Sequence, residues 1–238
     1  MTALIESALE DLQRKTLPPQ HPALDRLCLS PVPLVPEIRL HLAVDAVVWW
    51  ARMEAEAKDV LPVPYWASAW AGGQAVARYV LDNPATARGR HVLDLAAGSG
   101  LAGIAAGLAG AATVTVNDTD PYAVAAALLN GQANGVDVTG SQEDLLVGDD
   151  DGSPADLVLA GDVFYSAEMA TRVLPFLHRA ARRGATVLVG DPGRDFLPAD
   201  QLVRLAGYDT DGELTFSDAQ LRRIDVYRLD PPAAPHRR

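Results

Sequence analysis

VLDLAAGSGLAG, residues 92–103, opens as an apolar run broken by an aspartate at position 94 and closes in Gly98, Gly100 and Gly103. The run HVLDLA reads as a β-strand, and a helix opens within the glycine cluster. The spacing Gly98-Ser-Gly100-Leu-Ala-Gly103 satisfies G-x-G-x-x-G, which alone is weak evidence, so the flanking residues must decide. They continue the alternation. ATVTVND is a second strand ending at Asp118, and Asp120 caps a helix with Pro121 in its first turn and Gly135 past its end. VDVTG marks a third short strand, and ADLVLAGD a fourth, apolar enough to be central. Ser166 caps a helix that Pro175 should kink and Gly184 stops, before a fifth strand, ATVLVGD. PADQLVRLAGY reads as a short helix, then GELTF and RRIDVYRL as two antiparallel strands. Strand–helix alternation requires parallel strands joined by crossovers. The expectation is an α/β fold: a doubly wound seven-stranded sheet, mostly parallel, with an antiparallel C-terminal hairpin strand.

Upstream, the sequence divides at about residue 60. Six prolines between Pro18 and Pro36 predict a connector without a regular helix or central strand through most of its length. EIRLHLA beyond it alternates like a strand, and AVVWWARMEAEAKDVL reads as a helix. Residues 1–60 are therefore expected to form an N-terminal helical and Pro-rich extension, 61–230 the main domain and 231–238 a disordered tail. Gly72 and Gly73 in AWAGGQAVA predict a turn or close backbone approach just before the helix that ends at Asn83-Pro84. The acidic run GDDDG at 148–152 reads as a solvated loop.

The formal net charge of −11 over 238 residues argues against binding a phosphate backbone, which is neutralised by clustered Lys and Arg. A cationic ligand or a basic peptide suits such a chain better. Cys28 is the only cysteine, which excludes an internal disulfide and a zinc cluster, and no metal is expected. MTALIESALEDLQRKTL is amphipathic with mixed charge and unlike a signal peptide, so a cytoplasmic protein is expected. The uncharged stretch from Leu95 to Val116 is interrupted by glycines and ATVTV, which excludes a membrane helix there.

In an open parallel sheet the ligand lies beyond the carboxyl ends of the strands at the switch point, which gathers Asp94, Gly98, Gly100 and Asp118 around one crevice. Asp118 is placed to accept both hydroxyls of a ribose, as in a dehydrogenase or a methyltransferase. Asp94 separates the two. A carboxylate there disfavours a pyrophosphate and suits an ammonium or sulfonium, and S-adenosylmethionine carries both cations and no phosphate.

Asp94-x-x-x-Gly98-Ser99-Gly100, with Asp118 ending the next strand, resembles the class I, seven-stranded S-adenosylmethionine-dependent methyltransferases, a Rossmann-like family. After the fourth strand stands Asp162-Val-Phe-Tyr165, where methylases of adenine or glutamine nitrogen carry Asn/Asp-Pro-Pro-Tyr/Phe, and D-x-x-Y here resembles the seven-stranded protein lysine methyltransferases. LVPEIRLHLA, PYWASAWAGGQAVARYVLDNP, AGDVFY and GDPGRDFLP together look like bacterial relatives of the electron transfer flavoprotein beta-subunit lysine methyltransferases. The resemblance implies S-adenosyl-L-methionine as cofactor and a lysine of the electron transfer flavoprotein beta subunit as substrate, with neither nucleic acid nor membrane as partner. It implies that Trp70, Gly72 and Gln74 flank the methionine end of the cofactor. Asp144, or Glu143 beside it, would meet the adenine. Asp162 would hydrogen-bond the target amine and aim its lone pair, while Tyr165, Trp66 and Trp70 would form an aromatic slot for it. The two tryptophans serve equally well as core packing. A small-molecule or ribosomal-protein N-methyltransferase, an NAD-binding dehydrogenase and a non-catalytic nucleotide-binding module stay open as alternatives.

Overall fold

The protein is described here by a computed structural model that covers residues 2–17, 24–148, 154–210 and 223–230. The chain order is α1 (Ala3–Lys15), β1 (Thr16–Leu17), β2 (Leu27–Val32), β3 (Val35–Ala43), α2 (Ala46–Ala57), α3 (Ala71–Asp82), β4 (His91–Leu95), α4 (Leu101–Leu108), β5 (Thr113–Asn117), α5 (Pro121–Ala133), β6 (Thr139–Ser141), β7 (Leu157–Gly161), α6 (Ala167–Arg182), β8 (Thr186–Asp191), β9 (Leu202–Asp209) and β10 (Arg223–Leu229). Seven strands form one sheet in the order β6-β5-β4-β7-β8-β10-β9, with β10 antiparallel to both its neighbours and the other pairings parallel. The expected α/β architecture is the one found.

Alternate residues of the central strands face opposite layers, which is why these strands are apolar throughout. Leu93, Val158 and Val187 pack beneath Val173, Phe176 and Leu177 of α6. Val92, Leu157 and Leu188 face Val76 and Val80 of α3 and Ala102 and Ala106 of α4. Asp120 caps α5 through Tyr122 N–H, and Ser166 caps α6 through Met169 N–H, both as expected from the sequence. Leu95–Val116 splits into the loop, α4 and β5, and no helix among the described residues is long and apolar enough to cross a membrane.

The sequence reading needs three corrections. Residues 202–209 form the edge strand β9 after a single 3-10 turn at Ala199–Gln201, where a helix was expected. Strand β9 partners β10, and the expected strand GELTF lies outside the described residues, as do most of GDDDG and the tail. The Pro-rich stretch contributes a strand, since β2 lies between β1 and β3 in a three-stranded sheet. Among the described residues β1 pairs with β2 at Leu27 and Cys28 and Pro31 is paired with β3 alone, with the register shifting between Pro31 and Val32. Finally, Gly72 and Gly73 stand inside the first turn of α3 rather than before it.

The expected close approach does occur there. A Cβ on Gly72 would collide with the Gly190 carbonyl oxygen and lie 2.7 Å from Asp162 Oδ2, while one on Gly161 would lie 2.6 Å from Gly73 Cα. Three chain segments thus meet backbone to backbone where β7 and β8 end. The N-terminal elements pack on the same body: Ala8, Leu12, Leu27, Trp49 and Met53 share a core with Trp66 and the alanines of α5. Gly72→Ala is expected to cost about 1–3 kcal/mol, the usual range for overpacking, because a carbonyl cannot yield as a side chain does. Urea unfolding of the variant measures this, and an unchanged midpoint would remove the contact from the account.

Candidate active site

The glycine turn after β4 opens a cleft of about 620 Å³ at the point where the sheet order reverses between β4 and β7. Gly98 and Gly100 sit at φ 51° and 79°, a backbone that glycine adopts without strain. A Cβ on Gly98 would meet nothing nearer than Trp66 Cα at 3.8 Å, so that turn faces open space. Gly100 has a different role, since a Cβ there would lie 2.6 Å from Ala127 Cβ, and it lets α4 pack on α5. Gly98 and Ser99 line the cleft, and Gly100 is not among the lining residues.

The cleft's carboxylates are poised by backbone donors. Asp94 is buried and accepts Gly103 N–H at 2.7 Å, and burial pushes its carboxyl up to about 7, with Asp118 adding to the shift. Asp118, at the end of β5, accepts Gly98 N–H at 3.0 Å on one oxygen and Asp120 N–H at 3.1 Å on the other, and burial raises it against those bonds. Its remaining lone pairs are available to a diol. Asn117 beside it donates to the Glu143 carbonyl at 2.8 Å, which ties the β6 loop to this end of the cleft. Asp144 lines the cleft and is paired with Arg172 at 2.6 Å, and Glu143 lines it too. Both adenine candidates are thus at hand.

The opposite wall follows β7. Asp162 adopts φ 60°, unusual for a residue with a side chain, and its own N–H donates to the Gly190 carbonyl at 2.9 Å. Its Oδ2 accepts Gly73 N–H at 2.8 Å, and Oδ1 meets Arg194 Nη1 at 2.7 Å. Burial pushes this carboxyl up to about 6, with Arg194 pulling against it. Tyr165 is half exposed, with its ring 6.2 Å from that of Tyr65, which is 5.8 Å from Trp70. Trp70 Nε1 donates to the Tyr65 carbonyl at 2.7 Å.

Of the residues expected at the site, Asp94, Gly98, Ser99, Asp118, Asp144, Asp162, Tyr165, Trp66 and Trp70 all line this cleft. Gly72 and Gln74 do not. Gly72 is pressed on β8, and Gln74 is fully buried, donating to Ala69 O and accepting Leu34 N–H, so both serve packing. Trp66 is only 3% exposed, edge-on to Trp49 and stacked on Tyr122, so core packing is its main role and Tyr65 completes the aromatic group. Tyr65 and Arg194 were given no role from sequence, although they lie in PYWASAW and GDPGRDFLP. No spacing rule points to either one.

The sheet order, the glycine turn and the carboxylates at the ends of β4 and β5 define an S-adenosylmethionine-dependent methyltransferase of the seven-stranded class. The chain belongs to the electron transfer flavoprotein beta subunit lysine methyltransferase family: it is 44% identical over 206 residues to that enzyme of Xenopus laevis, covering 84% of this chain and 82% of the relative. It is 40% identical to the Homo sapiens enzyme over 173 residues, covering 68% of this chain and 61% of the relative's length. Residues 78–186 also match the ribosomal protein L11 methyltransferase (PrmA) family. A structure from Streptococcus mutans, assigned to the S-adenosylmethionine-dependent methyltransferases, superposes with TM-score 0.52 at 12% identity, covering 88% of this chain and 57% of that one, a likeness of fold alone.

The donor set suits this cofactor, with acceptors for a diol at Asp118, a carboxylate for cations at Asp94 and open space beside Gly98. A folded-state carboxyl near 7, against 3.8 for an unperturbed one, takes up a proton on folding, so Asp94 lowers the stability of the ligand-free protein progressively as pH rises from about 4 through 7. Asp94→Asn keeps the acceptor for Gly103 N–H and removes the buried charge. Without ligand it is expected to melt above wild type at pH 8, with the difference shrinking towards pH 5. Thermal unfolding across that range measures it, and a variant less stable than wild type at both ends would overturn the assignment.

Proposed function

We propose that the protein transfers a methyl group from S-adenosylmethionine to a lysine amine of the electron transfer flavoprotein beta subunit, in the cytoplasm. The observation that carries this reading is a single cleft with two unlike ends. Diol and cation acceptors stand at Asp118 and Asp94, and a mostly buried carboxylate beside partly exposed aromatic rings stands at Asp162, Tyr165, Tyr65 and Trp70. The family relatives bear the flavoprotein subunit in their names, and the acidic charge favours a basic segment of protein over nucleic acid.

The cofactor supplies an electrophilic methyl on a sulfonium. Asp118 would hold the ribose hydroxyls, Gly98 and Ser99 would let the backbone come close, and Asp94 would balance positive charge. Glu143 and Asp144 stand at the adenine end. A lysine amine near pKa 10.4 is protonated at neutral pH and has no lone pair to attack with, so one proton must first pass to bulk water, helped by desolvation between the rings. Asp162 then accepts a hydrogen bond from the neutral amine and orients its nitrogen. Bound in the cleft, S-adenosylmethionine would supply its methyl to the amine lone pair, the electrons of the S–C bond leaving on sulfur. Tyr165, Tyr65 and Trp70 offer ring faces to the resulting cation.

Two outcomes test the assignment. Asp118→Ala is expected to lose about 1.5–3 kcal/mol of affinity for S-adenosylhomocysteine by calorimetry, because a charged acceptor for two hydroxyls is deleted, and equal affinity would refute its role. Incubated with enzyme and S-adenosylmethionine, the flavoprotein subunit is expected to gain mass in methyl steps, and arginine in place of the modified lysine to abolish the gain. Labelling confined to ribosomal proteins or small amines would defeat the substrate assignment while leaving the methyltransferase standing.

A further inference from the structure

Asp162 is not held by its own loop alone. The loop after β8 reaches across to it, and that loop is built around a second carboxylate, Asp191, whose side chain is fully buried. Asp191 Oδ1 accepts the N–H groups of Gly193 and Arg194, each at 2.7 Å, which folds the turn back on itself. Its Oδ2 lies 3.2 Å from Arg194 Nη1, the same nitrogen that meets Asp162 Oδ1 at 2.7 Å. One guanidinium nitrogen therefore bridges two carboxylates, a nearly inaccessible one that anchors it and one in the cleft that it holds. The side chain of Arg194 is 21% exposed and that of Asp162 11%, so water screens the pair little.

We propose that Arg194 is a positioning residue for methyl transfer: anchored by Asp191, it fixes Asp162 as an oriented, ionised acceptor for the target amine. The proposal rests on the assignment of Asp162 to the amine made above. The groups facing Asp162 are few. Arg194 and Asp191 come from the end of β8 and its loop, Gly73 N–H from α3, whose first four residues carry no ionisable side chain, and Tyr165 lies on Asp162's own loop. Burial and Asp191 both disfavour the charged form of Asp162, and Arg194 and the Gly73 N–H oppose them. Removing the guanidinium leaves a buried carboxyl beside another carboxylate, which takes up a proton and turns from acceptor to donor. A protonated Asp162 would direct its O–H at the amine lone pair and withhold the electrons needed for N–C bond formation.

Two measurements on Arg194→Met and Arg194→Lys test this, with Arg194→Gln replacing the methionine variant should that fail to fold. In the first, aspartate is labelled with carbon-13 at the side-chain carboxyl, and Asp162 is assigned by its loss in Asp162→Asn. Its titration is expected to move up by about one pH unit or more in Arg194→Met and to stay near wild type in Arg194→Lys, which keeps the charge. In the second, the ratio of wild-type to variant kcat on a lysine-bearing protein is followed from pH 6.5 to 9.5, a comparison that cancels the titration of the lysine itself. The ratio for Arg194→Met is expected to be about threefold or more at the acid end and to fall towards one at the alkaline end, with affinity for S-adenosylhomocysteine within about twofold of wild type. An unmoved Asp162 titration, or a loss of kcat equal at every pH, would overturn the proposal. Failure of the lysine assignment would show differently, as absence of protein methylation by the wild type with the carboxyl titration still displaced by Arg194→Met.

Discussion

The contact on which the site depends is backbone against backbone. Gly72 and Gly73 open α3 directly over Gly161 and Gly190, where neither strand end has room for a side chain on the facing residue. Because the helix comes this close, Gly73 N–H, a donor that no helical carbonyl satisfies in the first turn, reaches Asp162 Oδ2. The same approach explains why Asp162 tolerates φ 60°. Its N–H is captured by Gly190 O and its carboxyl by Gly73 and Arg194, and a strained conformation persists where its surroundings over-determine it. A side chain at Gly72, Gly161 or Gly190 would push the helix outward and release the carboxylate that faces the cleft, whereas a Cβ on Gly73 would meet open space.

Burial and hydrogen bonding work against each other at three of the carboxylates in the cleft. Asp94, Asp118 and Asp162 are all raised by burial, and each is opposed by donors, namely Gly103 N–H, the N–H groups of Gly98 and Asp120, and Arg194 with Gly73. The balance is struck differently at the two ends. Asp94 has a single backbone donor and stays near the midpoint at neutral pH, so an arriving cation favours its charged form. Asp162 has a permanent guanidinium and needs no ligand to be ionised at neutral pH. Negative charge at one end of the cleft thus depends on the ligand, whereas at the other it belongs to the protein.

The parts of the structure legible in the sequence are those set by local rules. Strand ends followed by glycine, the Asp120-Pro121 and Ser166 caps and the apolar fourth strand each state a conformation within a few residues. Residues 202–209 were misread because Leu202, Leu205 and Ala206 have helical spacing, yet the segment is half exposed at the sheet edge, where pairing with β10 decides the outcome. The placement of Asp94, Asp118 and Asp162 in one cleft was legible because position relative to a strand end carries it. Arg194 was not, since it acts through an ion pair to a residue 32 positions away in the chain. Gln74 was misassigned for a related reason, because its amide closes contacts to Leu34 and Ala69 that no spacing rule anticipates.

The N-terminal layer also reaches the chemistry, through two adjacent aromatic residues. In the 3-10 turn Tyr65–Ala67 successive side chains point about 120° apart, so Trp66 and Tyr65 cannot share a face. Trp66 turns inward, stacked on Tyr122 of α5 at 6.2 Å and edge-on to Trp49 of α2 at 6.3 Å, and so fastens the turn to both layers. Tyr65 is thereby presented to the cleft mouth against Tyr165 and Trp70. The extension that contributes Trp49 and Leu12 to this core therefore sets where the aromatic wall of the cleft stands, although neither residue lines the cleft itself. Loosening that core at Trp49 or Leu12 would shift the aromatic wall without touching a residue that lines the cleft.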